Sequence, residues 1–164
     1  MPNDAPVITI AIPTQTLTLQ DSRGETLMRT LVSTAKNGAG ENKGSECTPR
    51  GRHLIRAKIG AAAPVNTVFV SRRPTGEIYS RALRALYPQR DWILTRILWL
   101  SGLEPGKNRL GAVDTMQRYI YIHGAPDEDT MGVPSSHGCV KMRNADVVAL
   151  FDLVSPGTVV VISG

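Results

Sequence analysis

Short apolar runs that end at glycine or proline recur along the whole chain and restrict it to a fold built from many short strands. The 164 residues include 15 glycines and 11 prolines, and both residue types mark turns. A chain of this length can bury one sizeable core. We therefore predict a single, mostly β domain over residues 1–164, with strands at residues 7–12, 16–20, 27–33, 52–59, 68–71, 93–100, 118–123 and 159–162.

Helical patterns are few. Apolar residues recur every three or four positions from Val147 to Val154, which predicts a helix there. Asn144 is a suitable cap for its start, and Ser155-Pro156-Gly157 would end it. We predict a shorter helix over residues 82–86, inside a polar segment, residues 72–91, that could form a lid.

One segment carries most of the chemical information. Residues 135–144 read Ser-Ser-His-Gly-Cys-Val-Lys-Met-Arg-Asn, and a second imidazole, His123, lies sixteen residues before Cys139. An imidazolium, a basic residue or a helix N-terminus can lower the pKa of a thiol from about 8.5 and make it a nucleophile. We predict that Cys139 lies on a strand-to-helix connection, directly before the helix, with a lowered pKa.

The neighbours of Cys139 suit acyl transfer, which needs a nucleophile, a base and donors for the developing negative charge. Gly138 would let a substrate carbonyl approach the backbone, and Ser136 would hold the turn. Lys141 and Arg143 could contact substrate or be solvated surface charges. Cys47 is interpreted as structural.

With these motifs the chain resembles the L,D-transpeptidase catalytic domain family, often called YkuD-like. The family pattern is His-Gly at the end of a strand, roughly fifteen residues, and then Ser-His-Gly-Cys before a helix. Here these are His123-Gly124 and the residues from Ser136 to Cys139. The resemblance extends to residues 17–19, 32–38 and 48–51, and it implies a β-sandwich or barrel with a helix after the cysteine.

The resemblance also implies roles for the site residues. Cys139 is the nucleophile, and His123 is the general base and later the general acid. The carbonyl of Gly124 orients that imidazole. His137 and the backbone of Gly138 and Cys139 border the oxyanion site.

At one position the chain departs from the family. Where the family usually has arginine, two residues after the cysteine, this chain has Lys141. Lysine keeps the charge but loses the planar fork of a guanidinium. Arg143 could supply such a fork from nearby.

The implied substrate is a peptidoglycan tetrapeptide stem, cleaved between the third residue, meso-diaminopimelate, and the terminal D-alanine. Release of tripeptide would make the chain an L,D-carboxypeptidase. The alternatives are an L,D-transpeptidase that forms 3-3 cross-links and, more remotely, a non-catalytic wall-binding module. Carbapenem-type β-lactams are the expected inhibitors.

Other classes of function are disfavoured. The net charge is +5, but the 19 lysines and arginines are dispersed, so we predict no nucleic-acid binding. A zinc site at His123, His137 and Cys139 lacks the usual ligand spacings, and we predict neither metal nor cofactor. We predict no membrane span. The residues at the N-terminus do not resemble an export signal, so we expect a cytoplasmic protein, or a periplasmic one if a signal has been trimmed.

Overall fold

A computed structural model describes residues 5–164. Met1 to Asp4 lie outside the described residues, and part of the prediction of a cytoplasmic location rests on them. The described chain contains two α-helices, α1 (Arg81–Leu86) and α2 (Asn144–Leu153), and a 3-10 turn at Gly111–Val113. It also contains ten strands: β1 (Val7–Ala11), β2 (Thr16–Gln20), β3 (Thr26–Leu31), β4 (Gly51–Ile59), β5 (Thr67–Val70), β6 (Arg73–Ile78), β7 (Ile93–Gly102), β8 (Tyr121–Ala125), β9 (Val140–Arg143) and β10 (Val159–Ser163).

The strands form one curled sheet, ordered β3-β2-β1-β10-β4-β7-β5-β6. Strand β7 also pairs with β8, which in turn pairs with β9. The β1–β10 and β8–β9 pairs are parallel, and the other pairs are antiparallel. The prediction of a mostly β fold with a helix after the cysteine is confirmed.

Alternation along the strands builds the core. Ile8 and Ile10 of β1 and Leu17 and Leu19 of β2 are fully buried, while the residues between them face outward. Helix α2 packs on β7, β8 and β9 with the apolar face that its spacing predicted. This packing fixes β8 and β9 side by side. In residues 5–164 neither helix is long and apolar enough to span a membrane.

Two strands were not predicted. Strand β6 is almost wholly exposed and contains Pro74, a pattern that an edge strand tolerates because it needs fewer ladder hydrogen bonds. Strand β9 is only four residues long and is defined by its pairing with β8. The predicted lid therefore contains β6 and α1.

The start of β8 also differs from the prediction, which placed it at Arg118. Arg118 donates its backbone N–H to Asp114 at 3.0 Å, and Tyr119 has a φ of +56°. These residues form a turn, and the strand begins at Tyr121.

Candidate active site

The thiol of Cys139 lies directly before β9, against the start of β8. The backbone N–H of Tyr121 donates to its Sγ at 3.3 Å, and the thiol contacts the Tyr119 carbonyl at 3.4 Å. The prediction that a helix follows Cys139 directly is wrong, because β9 intervenes and α2 begins only at Asn144. The N-terminus of α2 is therefore displaced from the thiol by the length of a strand.

The electrostatic environment keeps this thiol protonated. Burial raises the pKa of Cys139 to about 12, and the charge of Asp91 acts in the same direction. The Tyr121 N–H and the charge of Arg118 lower the pKa of the thiol, but they offset only part of the effect. The predicted low thiol pKa is therefore wrong, because desolvation outweighs the neighbouring donors. A thiol in this state could act as a nucleophile only with a base that takes its proton.

His123 lines the same cavity as the thiol and has a ring nitrogen that could accept a proton. It is buried in β8, and its Nδ1 lies 2.7 Å from the carbonyl oxygen of Gly124. A carbonyl can only accept, so Nδ1 carries the proton and Nε2 keeps its lone pair. Burial lowers the pKa of His123, although Asp91 and the Gly124 hydrogen bond act against this. The imidazole is thus neutral near pH 7 and available as a base.

Gly124 packs against a polar network at the start of α2, which is centred on the buried Asn144 and Thr95. A Cβ on Gly124 would lie 2.6 Å from the Leu94 carbonyl oxygen and would overlap the side-chain oxygen of Asn144. That oxygen accepts from Thr95 at 2.6 Å, while the Asn144 amide donates to Asn66 and Asp127 at 3.0 and 3.1 Å.

The prediction that Asn144 caps the helix is therefore wrong. The N-cap is Arg143, and Asn144 is the first helical residue. Its buried amide is used by the network that packs against Gly124.

A short turn sets the backbone before Cys139. Ser136 Oγ donates to the Cys139 carbonyl at 2.5 Å and accepts from the Gly138 N–H at 3.2 Å. Gly138 has a φ of +130°, and a Cβ there would lie 3.2 Å from the Cys47 carbonyl oxygen. On the side where a Cβ would point, the space beside Gly138 is thus filled by the protein itself. Ser136 lies where it can hold the turn.

The thiol opens into a cavity of about 390 Å³ that is also lined by His123, Ser136 and His137. His137 is exposed at its wall. The structure therefore brings both imidazoles and Ser136 together with the thiol at one cavity.

Lys141 and Arg143 lie outside this cavity. The ammonium of Lys141 is 3.4 Å from Asp129 and borders a smaller neighbouring cavity of about 200 Å³, which His137 also lines. Arg143 is exposed, 4.0 Å from Asp146. Its guanidinium does not supply the fork considered in place of Lys141.

Three charged residues that the sequence did not identify also line the cavity: Arg72, Asp91 and Arg118. Arg118 donates to the carbonyls of Cys47, Glu41 and Gly40 at 2.7, 3.2 and 3.4 Å, and so fastens the 40–47 loop to the site. No motif marks these residues, because they become neighbours of the thiol only when β5, β7 and β8 pair.

The described residues give no support for a metal site or a disulfide. In residues 5–164 no three His, Cys, Asp or Glu side chains are grouped as a metal ion would require. Both cysteines are free, and Cys47 Sγ lies 3.6 Å from the carbonyls of Asn37 and Ser45. These contacts suit a structural Cys47.

One protein-family model matches most of the chain. The family model described as the L,D-transpeptidase catalytic domain (YkuD) matches residues 5–162. No curated protein sequence matches the chain.

Solved structures share the fold. An L,D-transpeptidase from Mycobacterium smegmatis aligns with a TM-score of 0.57 and 20% identity, over 98% of this chain and 59% of its own. The LD-transpeptidase LdtMt1 in complex with imipenem aligns with a TM-score of 0.59 and 20% identity, over 98% of this chain and 59% of its own. L,D-transpeptidase 3 from Mycobacterium tuberculosis, in complex with a faropenem-derived adduct, aligns with a TM-score of 0.60 and 15% identity, over 98% of this chain and 60% of its own. The chain thus spans about three-fifths of each of these structures.

Proposed function

Because the chain belongs to the L,D-transpeptidase catalytic domain (YkuD) family, we propose that Cys139 carries the acyl group of a peptidoglycan stem peptide during acyl transfer. The observation that carries the proposal is the orientation of His123. Its Nδ1–H is fixed by Gly124, and the ring lines the same cavity as the thiol with its other nitrogen unprotonated.

The first half-reaction consumes a tetrapeptide stem. Sγ of Cys139 attacks the carbonyl carbon of the third residue, meso-diaminopimelate, and the thiol proton passes to Nε2 of His123. The C–N bond then breaks, and His123 gives the proton to the amine of the departing D-alanine. A thioester remains on Cys139. Since both groups begin neutral, proton transfer accompanies the attack of sulfur rather than preceding it.

The tetrahedral intermediate needs donors for its negative oxygen. We propose His137 and the backbone N–H of Cys139 as neighbours of that oxygen. Gly138 has a lesser part than the sequence suggested, because its N–H already donates to Ser136.

For the second half-reaction we propose attack by water, which releases a tripeptide and makes the chain an L,D-carboxypeptidase. His137 and Asp91 are exposed where they line the cavity. Water can therefore reach a thioester on Cys139, and His123 can accept a proton from it.

Cross-linking is the second candidate, and a specific feature favours it. Two further cavities adjoin the first: one of about 270 Å³ beside residues 43–46, and one of about 200 Å³ beside α1. His137 borders both of them. An acyl donor and an acceptor amine could thus approach Cys139 from different sides.

Mass spectrometry of the products separates these outcomes. Purified protein is incubated with disaccharide tetrapeptide at rising concentration, alongside Cys139→Ala. Loss of D-alanine with accumulation of tripeptide supports the carboxypeptidase, and a dimer as the main product supports the transpeptidase. If wild type releases no D-alanine, the proposed function is wrong.

β-Lactams offer an independent probe of the thiol, since one of the similar structures holds the carbapenem imipenem and another a faropenem-derived adduct. We propose that a carbapenem acylates Cys139 of this chain, because its strained carbonyl imitates the acyl donor. The intact mass should increase by one carbapenem in wild type and in Cys47→Ala, and should not change in Cys139→Ala.

A further inference from the structure

A strained hairpin turn borders the cavity. Val70 of β5 pairs with Arg73 of β6, so Ser71 and Arg72 form a two-residue turn. Both have positive φ angles, +49° and +65°. Such turns favour Asn and Gly, and a larger side chain there costs roughly 1–2 kcal/mol. A strained residue at the wall of a candidate active site suggests that its side chain has a use.

The side chain of Arg72 stacks on two aromatic rings, of which Tyr119 also lines the cavity. Its guanidinium lies 4.7 Å from the centre of the Trp99 ring and 4.8 Å from that of Tyr119. It also donates to the phenol oxygen of Tyr121 at 2.9 Å. Stacking and this hydrogen bond orient a planar group that would otherwise be mobile.

Most donors of Arg72 remain unused. A guanidinium has five N–H groups, and within residues 5–164 the hydrogen bond to Tyr121 is the one that Arg72 makes. It forms no ion pair with a carboxylate in that part of the chain. Arg118, by contrast, uses its donors on the 40–47 loop. Arg72 thus brings both charge and spare donors to the cavity.

The position is close to the nucleophile. Tyr121 contacts both groups, since its backbone N–H reaches Cys139 Sγ at 3.3 Å and its phenol accepts from Arg72. Burial raises the pKa of Tyr121, so the phenol stays protonated near pH 7 and cannot neutralise the guanidinium. An anion bound at Arg72 would share the cavity with the acyl group on Cys139.

We propose that Arg72 binds a carboxylate of the peptide substrate and so determines which stem peptides are accepted; this rests on the proposed function. A guanidinium matches the two oxygens of a carboxylate with parallel hydrogen bonds. The tetrapeptide offers two such groups near the bond to be broken. They are the terminal carboxylate of the departing D-alanine and the side-chain carboxylate of diaminopimelate.

The test combines variants with amidated substrates. Arg72→Asn removes the guanidinium and suits a positive φ, so the hairpin should remain folded. Arg72→Lys keeps the charge without the fork, and Arg73→Gln is the matched control on the same hairpin, at an exposed position. Each protein is assayed for kcat and KM with the tetrapeptide, its terminal carboxamide, and the form amidated on the diaminopimelate side chain. Peptide product is detected by mass spectrometry.

We expect Arg72→Asn to raise KM and lower kcat/KM for the tetrapeptide by roughly 10- to 100-fold, the range for a lost charged hydrogen bond. Arg72→Lys should lose less, and Arg73→Gln should match wild type. On one of the two amidated substrates, kcat/KM of Arg72→Asn and of wild type should differ by less than about 3-fold. The carboxylate that is amidated in that substrate is the one that Arg72 binds.

If Arg72→Asn loses the same factor in kcat/KM on all three substrates, or loses nothing on any of them, the inference is overturned while the proposed function remains intact. A wild-type protein that turns over no tetrapeptide would overturn both. If Arg72→Asn fails to fold, Arg72→Lys compared with wild type on the same substrates decides, because it retains the turn and removes only the fork.

Discussion

The Nδ1–H of His123 donates to the carbonyl of Gly124 at 2.7 Å, one residue further along the same strand. This contact leaves Nε2 as the ring's acceptor without using a carboxylate. With burial lowering the pKa of His123 and raising that of Cys139 to about 12, the resting site holds a neutral base and a neutral thiol. It does not hold a preformed ion pair.

Alkylation of Cys139 should reveal this state. We expect the rate with iodoacetamide to rise about tenfold per pH unit from pH 7 to pH 10, because the thiolate is a minor species throughout. Cys47→Ala removes the second thiol, so that one site is followed by mass. A rate that levels off between pH 5 and 7 would show a preformed thiolate and contradict the neutral pair.

The two imidazoles should contribute unequally. His123→Ala removes the general base and should lower the single-turnover rate of D-alanine release by roughly 10²–10⁴-fold. His137 is exposed at the cavity wall, and we expect His137→Ala to cost less than His123→Ala, because the backbone N–H of Cys139 still supports the oxyanion. A larger loss at His137 would exchange the two roles.

Asn144 should matter for both stability and rate. Asn144→Ala leaves the buried hydroxyl of Thr95 without its acceptor and removes the amide that donates to Asn66 and Asp127, which should lower the free energy of unfolding by about 1–3 kcal/mol. It also loosens the packing against Gly124 and so should lower kcat. Asp152→Ala, at an exposed position on α2, is the control and should change stability by less than about 0.5 kcal/mol. Urea unfolding and tetrapeptide kinetics measure the two effects, and an Asn144→Ala protein indistinguishable from Asp152→Ala would contradict them.

The buried His53 should make the free energy of unfolding depend on pH. It is fully buried in β4 between Gly51 and Thr115, and burial lowers its pKa from 6.5 to about 4. The unfolded chain therefore binds a proton between these values while the folded one does not. The contribution of neutral His53 is complete above pH 6.5 and is lost as the pH falls toward 4.

At ~1.4 kcal/mol per pKa unit, the loss from His53 amounts to about 3 kcal/mol. Urea unfolding from pH 7 to pH 4 measures it, with His53→Gln as comparison. A wild-type pH profile no steeper than that of His53→Gln would show that His53 is not responsible.

Features formed by residues close together in the sequence can be predicted from it. The Ser136–Cys139 turn and the His123-Gly124 pair are local patterns, and the α2 helix follows from its apolar spacing. Strands such as β2 could be predicted because alternation is a property of one segment. The thiol pKa was predicted in the wrong direction because desolvation depends on what packs around the sulfur.

The remaining parts of the site depend on long-range pairing. Arg72, Asp91 and Arg118 reach the cavity because β5, β7 and β8 are neighbours in the sheet. Their sequence contexts, a hairpin turn and two loop ends, contain no motif. Strand β9 was missed for the same reason, since four residues carry too little periodicity to indicate a strand without their partner.

If acyl transfer proceeds through Cys139, the release of D-alanine from disaccharide tetrapeptide should be lost in Cys139→Ala. Cys47→Ala, which removes the other thiol, is the matched control, and circular dichroism establishes that both variants are folded. We expect release at the wild-type rate by Cys47→Ala and a loss of many powers of ten in Cys139→Ala, because the nucleophile is gone. Wild-type release by folded Cys139→Ala would contradict acyl transfer through Cys139.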